Sequence, residues 1–155
     1  MRQPKPTPCL WLNNDAAAAA QFYCTIFDDA RIISPADLSQ QSFMVVWEMN
    51  GQRVMGLNGG PKFPQSAAFS FFVEVEDQKE LDHYWNALLA NNGKESMCGW
   101  LEDQFGVSWQ IIPKQLAGLV GNSDPVIAQA CTEAMLKMRK IVIVDLQAAA
   151  ASADN

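Results

Sequence analysis

The feature that most constrains the fold of this 155-residue chain is a pattern written twice. The apolar run Pro8-Cys9-Leu10-Trp11-Leu12 ends at Asn13-Asn14-Asp15, which predicts a strand followed by a helix cap. Ala19, Phe22, Tyr23, Ile26 and Phe27 then fall on one helical stripe, closed by Asp28-Asp29. Further on, Phe69-Ser70-Phe71-Phe72-Val73-Glu74-Val75 alternates like a strand, and Asp77 follows as a cap. Leu81, Tyr84, Trp85, Leu88 and Leu89 repeat the stripe, and Asn91-Asn92-Gly93 stops it. From Asp15 to Asp77 is 62 positions, and the same 62 carries Phe22 to Tyr84, Tyr23 to Trp85, Ile26 to Leu88 and Phe27 to Leu89. It also lays Leu10-Trp11-Leu12 on Phe72-Val73-Glu74. Strand, cap and stripe at a common shift point to a duplicated unit. Two unrelated amphipathic helices lying on one sheet are the alternative.

Each stripe is followed by strands. In the first half these are Arg31–Ile33, Ser42–Met49 and Gln52–Leu57, with Asn50-Gly51 as a two-residue hairpin turn. In the second they are Ser96–Leu101 and Val107–Ile112 around Asp103-Gln104-Phe105-Gly106. The predicted class is α+β: two βαβββ modules forming a curved mixed sheet, plus C-terminal helices. One domain is expected over 1–155, with a first module over 8–58, a linker over 59–67, a second module over 68–113 and a helical tail over 114–155. In the tail, Asp124-Pro125 opens a helix whose stripe is Ile127, Cys131, Met135 and Met138. Lys137, Arg139 and Lys140 read as its solvated end, and Ala148–Asn155 as a frayed terminus.

Charge narrows the partners. Eleven basic against 17 acidic residues leave a net charge of −6, which argues against nucleic acid and anionic membranes. No apolar run reaches the ~18 residues of a membrane span, and Met1–Pro6 does not lead into an apolar signal core. Cys9, Cys24, Cys98 and Cys131 lack C-x-x-C spacing and sit among apolar neighbours, so a reduced, cytoplasmic protein is expected.

The paired modules resemble the vicinal-oxygen-chelate superfamily of glyoxalases, bleomycin-resistance proteins and extradiol dioxygenases. Leu10-Trp11-Leu12 with Asp15 and Phe22-Tyr23, then Leu57-Asn58-Gly59-Gly60-Pro61, then Cys98-Gly99-Trp100-Leu101 with Asp103, Phe105-Gly106, Trp109-Gln110 and Pro113 look like its PhnB-like branch. Ala134-Met135-Leu136-Lys137-Met138 extends the resemblance, which runs from Pro8 to about Leu146. Members of that branch often carry the name 3-demethylubiquinone-9 3-methyltransferase. An S-adenosylmethionine site needs a glycine-rich turn that opens a helix. Gly59-Gly60 is the one candidate here, but Pro61 and Pro64 follow it and the alternating βαβ order is missing.

The resemblance also implies divalent-metal ligands on the first and fourth strands of each module. Those positions match Pro8 and, at offset 62, Ser70; Gln110 in the second fourth strand; and Gly56 in the first, with Met55 the one-residue alternative. Pro8, Gly56, Ser70 and Gln110 cannot assemble such a site, and His83, the single histidine, sits off the helical stripe. No metal and no cofactor are expected. By strand alternation the concave face receives Leu10, Phe43, Val45, Trp47 and Phe72 as apolar wall, with Asn58, Ser70, Ser108 and Gln110 as neutral hydrogen-bonding groups. The expected ligand contacts are therefore Trp47, Asn58, Ser70, Phe72, Ser108 and Gln110. Trp11 and Trp109 are assigned to the helix-facing core, Glu48 and Arg53 to a surface ion pair, and Glu74 is the one acid placed inward. The expected partners are a small, largely apolar molecule and a second copy of the chain. The alternatives are a lyase or isomerase using Glu74, the methyltransferase of the family name, or a dimerisation module with filled cups.

Overall fold

Asn50 and Gly51 both take positive φ, 46° and 81°, the backbone of a type I′ turn. That turn folds β3 (Met44–Met49) onto β4 (Gln52–Asn58), with Met49 opposite Gln52. The computed structural model describes residues 5–39 and 42–154. They form two compact units, divided between Ser66 and Ala67. The first contains β1 (Cys9–Leu12), α1 (Ala16–Ile26), β2 (Ala30–Ser34), β3 and β4, in sheet order β1-β4-β3-β2 with β1 and β4 parallel. The second contains β5 (Ser70–Val75), α2 (Gln78–Leu88), β6 (Lys94–Glu95), β7 (Trp100–Glu102) and β8 (Ser108–Pro113), ordered β5-β8-β7-β6 with β5 and β8 parallel. Both are βαβββ units, the expected α+β class. Their strands form two separate four-stranded mixed sheets rather than one hydrogen-bonded sheet.

The helices keep the offset of 62 at both ends, 16 to 78 and 26 to 88. The strands do not. In β1 the buried residues are Leu10 and Leu12; in β5 the position under the helix is Val75, while Phe72 and Glu74 are exposed. Leu12 and Val75 are the last residues of their strands, 63 apart. The connection to the helix is Asn13-Asn14-Asp15 in the first unit and only Glu76-Asp77 in the second. One missing residue shifts the strand register by one, and in a strand that exchanges the two faces.

The first core therefore differs from the sequence expectation. Leu10, Val45, Trp47, Val54 and Gly56 lie beneath α1, not on the opposite face. Trp47 is 0% exposed and stacks on Tyr23 of α1, ring centroids 5.8 Å apart. A Cβ on Gly56 would sit 2.9 Å from Ala16 Cβ and 2.9 Å from Trp47 Cζ3, so close approach of α1 to the sheet requires glycine there. Asp15 holds the cap position but makes no capping bond; Asn58 Oδ1 accepts the Ala16 N–H instead, at 2.9 Å. In the second unit Asp77 caps its own helix, accepting from Glu80 N at 2.9 Å.

The tail forms α3 (Gln115–Val120), α4 (Pro125–Leu136) and α5 (Ile143–Ala153). Asp124 and Pro125 start α4 as expected. The frayed terminus expected from Ala148 is instead the second half of α5, which the alanine-rich run favours intrinsically and Leu146 anchors in the core. Lys137 ends α4, but Arg139 and Lys140 are not simply solvated: they pair with Glu95 (3.6 Å) and Asp82 (2.8 Å). Hydrogen bonds from Lys140 and Gln78 hold the Asp82 carboxyl below its ordinary pKa.

Candidate functional site

On the second sheet, burial of Val75, Leu101, Trp109 and Ile111 marks the face toward the helix. The other face presents Ser70, Phe72 and Glu74 from β5, Ser108 and Gln110 from β8, and Trp100 from β7. Registry sets Ser70 beside Ser108, and Phe72 and Trp100 on either side of Gln110. Gln110 Nε2 donates to Ser70 Oγ at 2.9 Å, which fixes the amide and leaves its carbonyl oxygen as an acceptor on the face. Phe72 is 57% exposed, an aromatic surface beside neutral polar groups. Ser108 is buried. Glu74 is exposed near the strand end. Close by, the Lys114 ammonium is bonded to Glu76, which pushes the lysine pKa up, with the Glu74 charge adding to the same direction.

Four of the six residues expected to contact a ligand thus share one face: Ser70, Phe72, Ser108 and Gln110. Trp47 and Asn58 do not share the corresponding face of the first sheet. Trp47 is enclosed beneath α1, and Asn58 spends its side chain on structure, with Oδ1 on Ala16 N and Nδ2 donating to Ser42 O at 2.7 Å. The reason is the one-residue register difference, which sends even-numbered positions of β4 toward the helix.

The helix-free face of the first sheet carries Cys9, Trp11, Met44, Val46, Met55 and Leu57. Trp11, assigned by sequence to the helix side, lies here, part-exposed. Its indole Nε1 donates to Gly60 O at 2.8 Å, and Phe63 meets its ring edge-on at 4.9 Å. A Cβ on Gly59 would lie only 2.2 Å from Trp11 Cε2 and 2.3 Å from its Cζ2, so this glycine lets the linker cross the indole. At the hairpin end Glu48 pairs with Arg31, not with Arg53 as expected, although Arg53 is its neighbour on β4. The length of the strand-to-helix connection was the sequence signal for the change of face at Trp11 and Trp47.

Trp109 does fill the helix-facing side. Its Nε1 donates to Asp103 Oδ2 at 2.8 Å, and Asp103, 2% exposed, also accepts from Phe105 N and Val107 N. These donors compensate burial of the carboxylate, so Asp103 is a turn clamp.

The structural equivalents of Ser70 and Gln110 are Thr7 and Met55, one position from Pro8 and Gly56. Two hydroxyls, a thioether and an amide are a poor donor set for a divalent ion. Among the described residues no three His, Cys, Asp or Glu side chains come together as a metal site. His83 is exposed on α2. The metal centre implied by the fold does not fit these residues.

The family profile described as 3-demethylubiquinone-9 3-methyltransferase matches residues 4–112, and the chain belongs to that family. The resemblance expected beyond Pro113 lies outside this match. A solved structure of a putative 3-demethylubiquinone-9 3-methyltransferase, a PhnB protein from Bacillus cereus, is 27% identical over 71% of this chain and 99% of its own, with a TM-score of 0.63. A Pseudomonas aeruginosa protein is 19% identical over 72% and 98%, with a TM-score of 0.58. The fosfomycin resistance protein FosX from Listeria monocytogenes, complexed with Mn(II) and sulfate, is 13% identical over 76% and 94%, with a TM-score of 0.54. These two show a shared fold. No curated protein matches the chain.

Proposed function

We propose that this member of the family binds a small, largely apolar molecule on the helix-free face of its second sheet, without a resident metal. The observation that carries this is Phe72, a strand residue with more than half its surface exposed, flanked by the hydrogen-bonded Gln110–Ser70 pair. An exposed ring costs roughly 25 cal/mol per Å² of apolar area left in water, and a ligand stacked on it recovers that. The Gln110 carbonyl and the Ser70 hydroxyl then orient the ligand's polar group.

The methyltransferase name finds no support in these residues. Gly59 serves the Trp11 indole, Gly60 accepts its N–H, and no helix begins after them. The manganese of FosX is likewise not carried over, for want of imidazole or carboxylate donors at the equivalent positions. The edge strands β1, β2, β5 and β6 have unpaired outer sides among the described residues, which favours pairing with a second copy in a cytoplasmic homodimer.

The test is calorimetric titration with neutral aromatic amides and quinones. Phe72→Ala and Gln110→Ala are expected to weaken binding about tenfold each while leaving the unfolding midpoint within a few degrees. Binding that is indifferent to both substitutions, or no binding across the series, overturns the proposal.

A further inference from the structure

The helix-free face of the first sheet has a chemistry of its own. Registry arranges it in three rows across β1, β4 and β3. Trp11, Leu57 and Met44 form the first row, and Cys9, Met55 and Val46 the second. The third is polar: Arg53 on β4, Glu48 on β3 and Arg31 on β2. The linker closes the Trp11 end, where Gly60 and Phe63 rest on the indole. From Leu57 to Arg53 is four residues of strand, roughly 13 Å. Two cations flank one carboxylate in the third row, leaving a net charge of +1 on the lip of an apolar floor in a chain of net charge −6. Arg31 is engaged by Glu48, whereas the exposed Arg53 guanidinium makes no ion pair among the described residues.

We infer that this face binds an amphipathic monocarboxylate, its apolar body along Met55, Val46 and Leu57 and its carboxylate on Arg53, with Arg31 beside it. The length fits a chain of about ten carbons, since extended methylenes span a distance comparable to the 13 Å of floor. The floor accounts for the apolar body and the planar fork of Arg53 for the acid. Lys62, over the Phe63 ring at 5.3 Å, is a further cation at the opposite, closed end. The inference uses no residue of the second sheet and does not depend on the ligand proposed there.

The experiment is calorimetric titration of the full-length protein with decanoate and with decanol at neutral pH. Decanoate is expected to bind at least about tenfold more tightly than decanol, because only the acid meets the guanidinium. Arg53→Gln should remove most of that preference. Glu48→Gln should tighten decanoate by about two- to fivefold, because it frees Arg31 and removes a like charge, and a merely structural ion pair would not produce a gain. Met55→Glu should abolish decanoate binding, whereas Phe72→Ala and Lys62→Gln should leave it unchanged. Equal affinity for acid and alcohol, loss of the preference in Lys62→Gln rather than Arg53→Gln, or no binding of decanoate at all overturns the inference. Failure in the Phe72 and Gln110 variants alone concerns the other sheet.

Discussion

The two βαβββ units share a plan and differ by one residue between first strand and helix, and that difference redistributes their chemistry. In the first unit Trp47 and Gly56 sit beneath α1, and the helix-free face is left with Trp11, methionines, aliphatics and an Arg-Glu-Arg row. In the second, Trp109 and Ile111 lie on the helix side, and the free face keeps Ser70, Phe72 and Gln110. The duplication preserved the helix stripes because they build the core. It left the strands free to slip by one, since alternation survives a slip as long as apolar residues still meet the helix. Equivalent positions along the sequence are therefore not equivalent positions in space.

The largest effect expected from this contrast is on stability. Trp47→Ala should cost about 3–5 kcal/mol in chemical denaturation, as for a large buried ring, whereas Phe72→Ala should cost less than about 1 kcal/mol. Comparable costs would mean that both aromatics face the same way. Substituting Gly56 with Val should cost about 1–3 kcal/mol through overpacking against Ala16 and Trp47. A neutral outcome would restore Gly56 to the helix-free face.

The caps sharpen the comparison at smaller scale. Asn58→Ala and Asp77→Ala should each lower stability by about 1 kcal/mol, while Asp15→Ala should stay within about 0.5 kcal/mol, because the α1 cap comes from another strand. The smallest effect is one of pH. The Asp82 pKa is depressed in the folded chain, so its contribution is present above the ordinary carboxylate value and is lost as pH falls through the depressed one. Hydrogen-exchange protection at the start of α5, taken relative to the intrinsic rate, should fall over that acidic range in the native chain. In Asp82→Asn it should be low already at neutral pH.

Much of this was legible in the chain. The helix stripes, the Asn50-Gly51 hairpin and the Asp77 and Asp124 caps followed from periodicity and turn chemistry, and the family from the resemblance of strings such as Leu57–Pro61 and Cys98–Leu101. So did the faces of the second sheet, where Ser70, Phe72, Ser108 and Gln110 lie together as alternation requires. The first sheet failed because Pro8 and Ser70 were equated at the helix offset of 62 and Gly56 was preferred to Met55, whereas a loop of three residues here does the work of a loop of two. Asp15 looks like a cap and Asn58 does not; the exchange depends on where β4 ends, which no local pattern encodes. Glu48 has a candidate cation on either side, and only three-dimensional placement chooses Arg31. The α5 helix was missed because an alanine run without a clear stripe resembles a fraying end.

The backbone N–H groups of Cys98 and Gly99 donate to the carbonyls of Met138 and Arg139, and the Gln78 side chain at the start of α2 spans Ile141 O and Ile143 N. The family profile stops at residue 112, yet the polypeptide past that point supplies acceptors to β7's approach and both an acceptor and a donor to the first turn of α2. A fragment trimmed to the shared region would leave those amides without their acceptors, so shortening this protein to the size of its Bacillus cereus relative should yield a poorly behaved, aggregation-prone product rather than a minimal version of it.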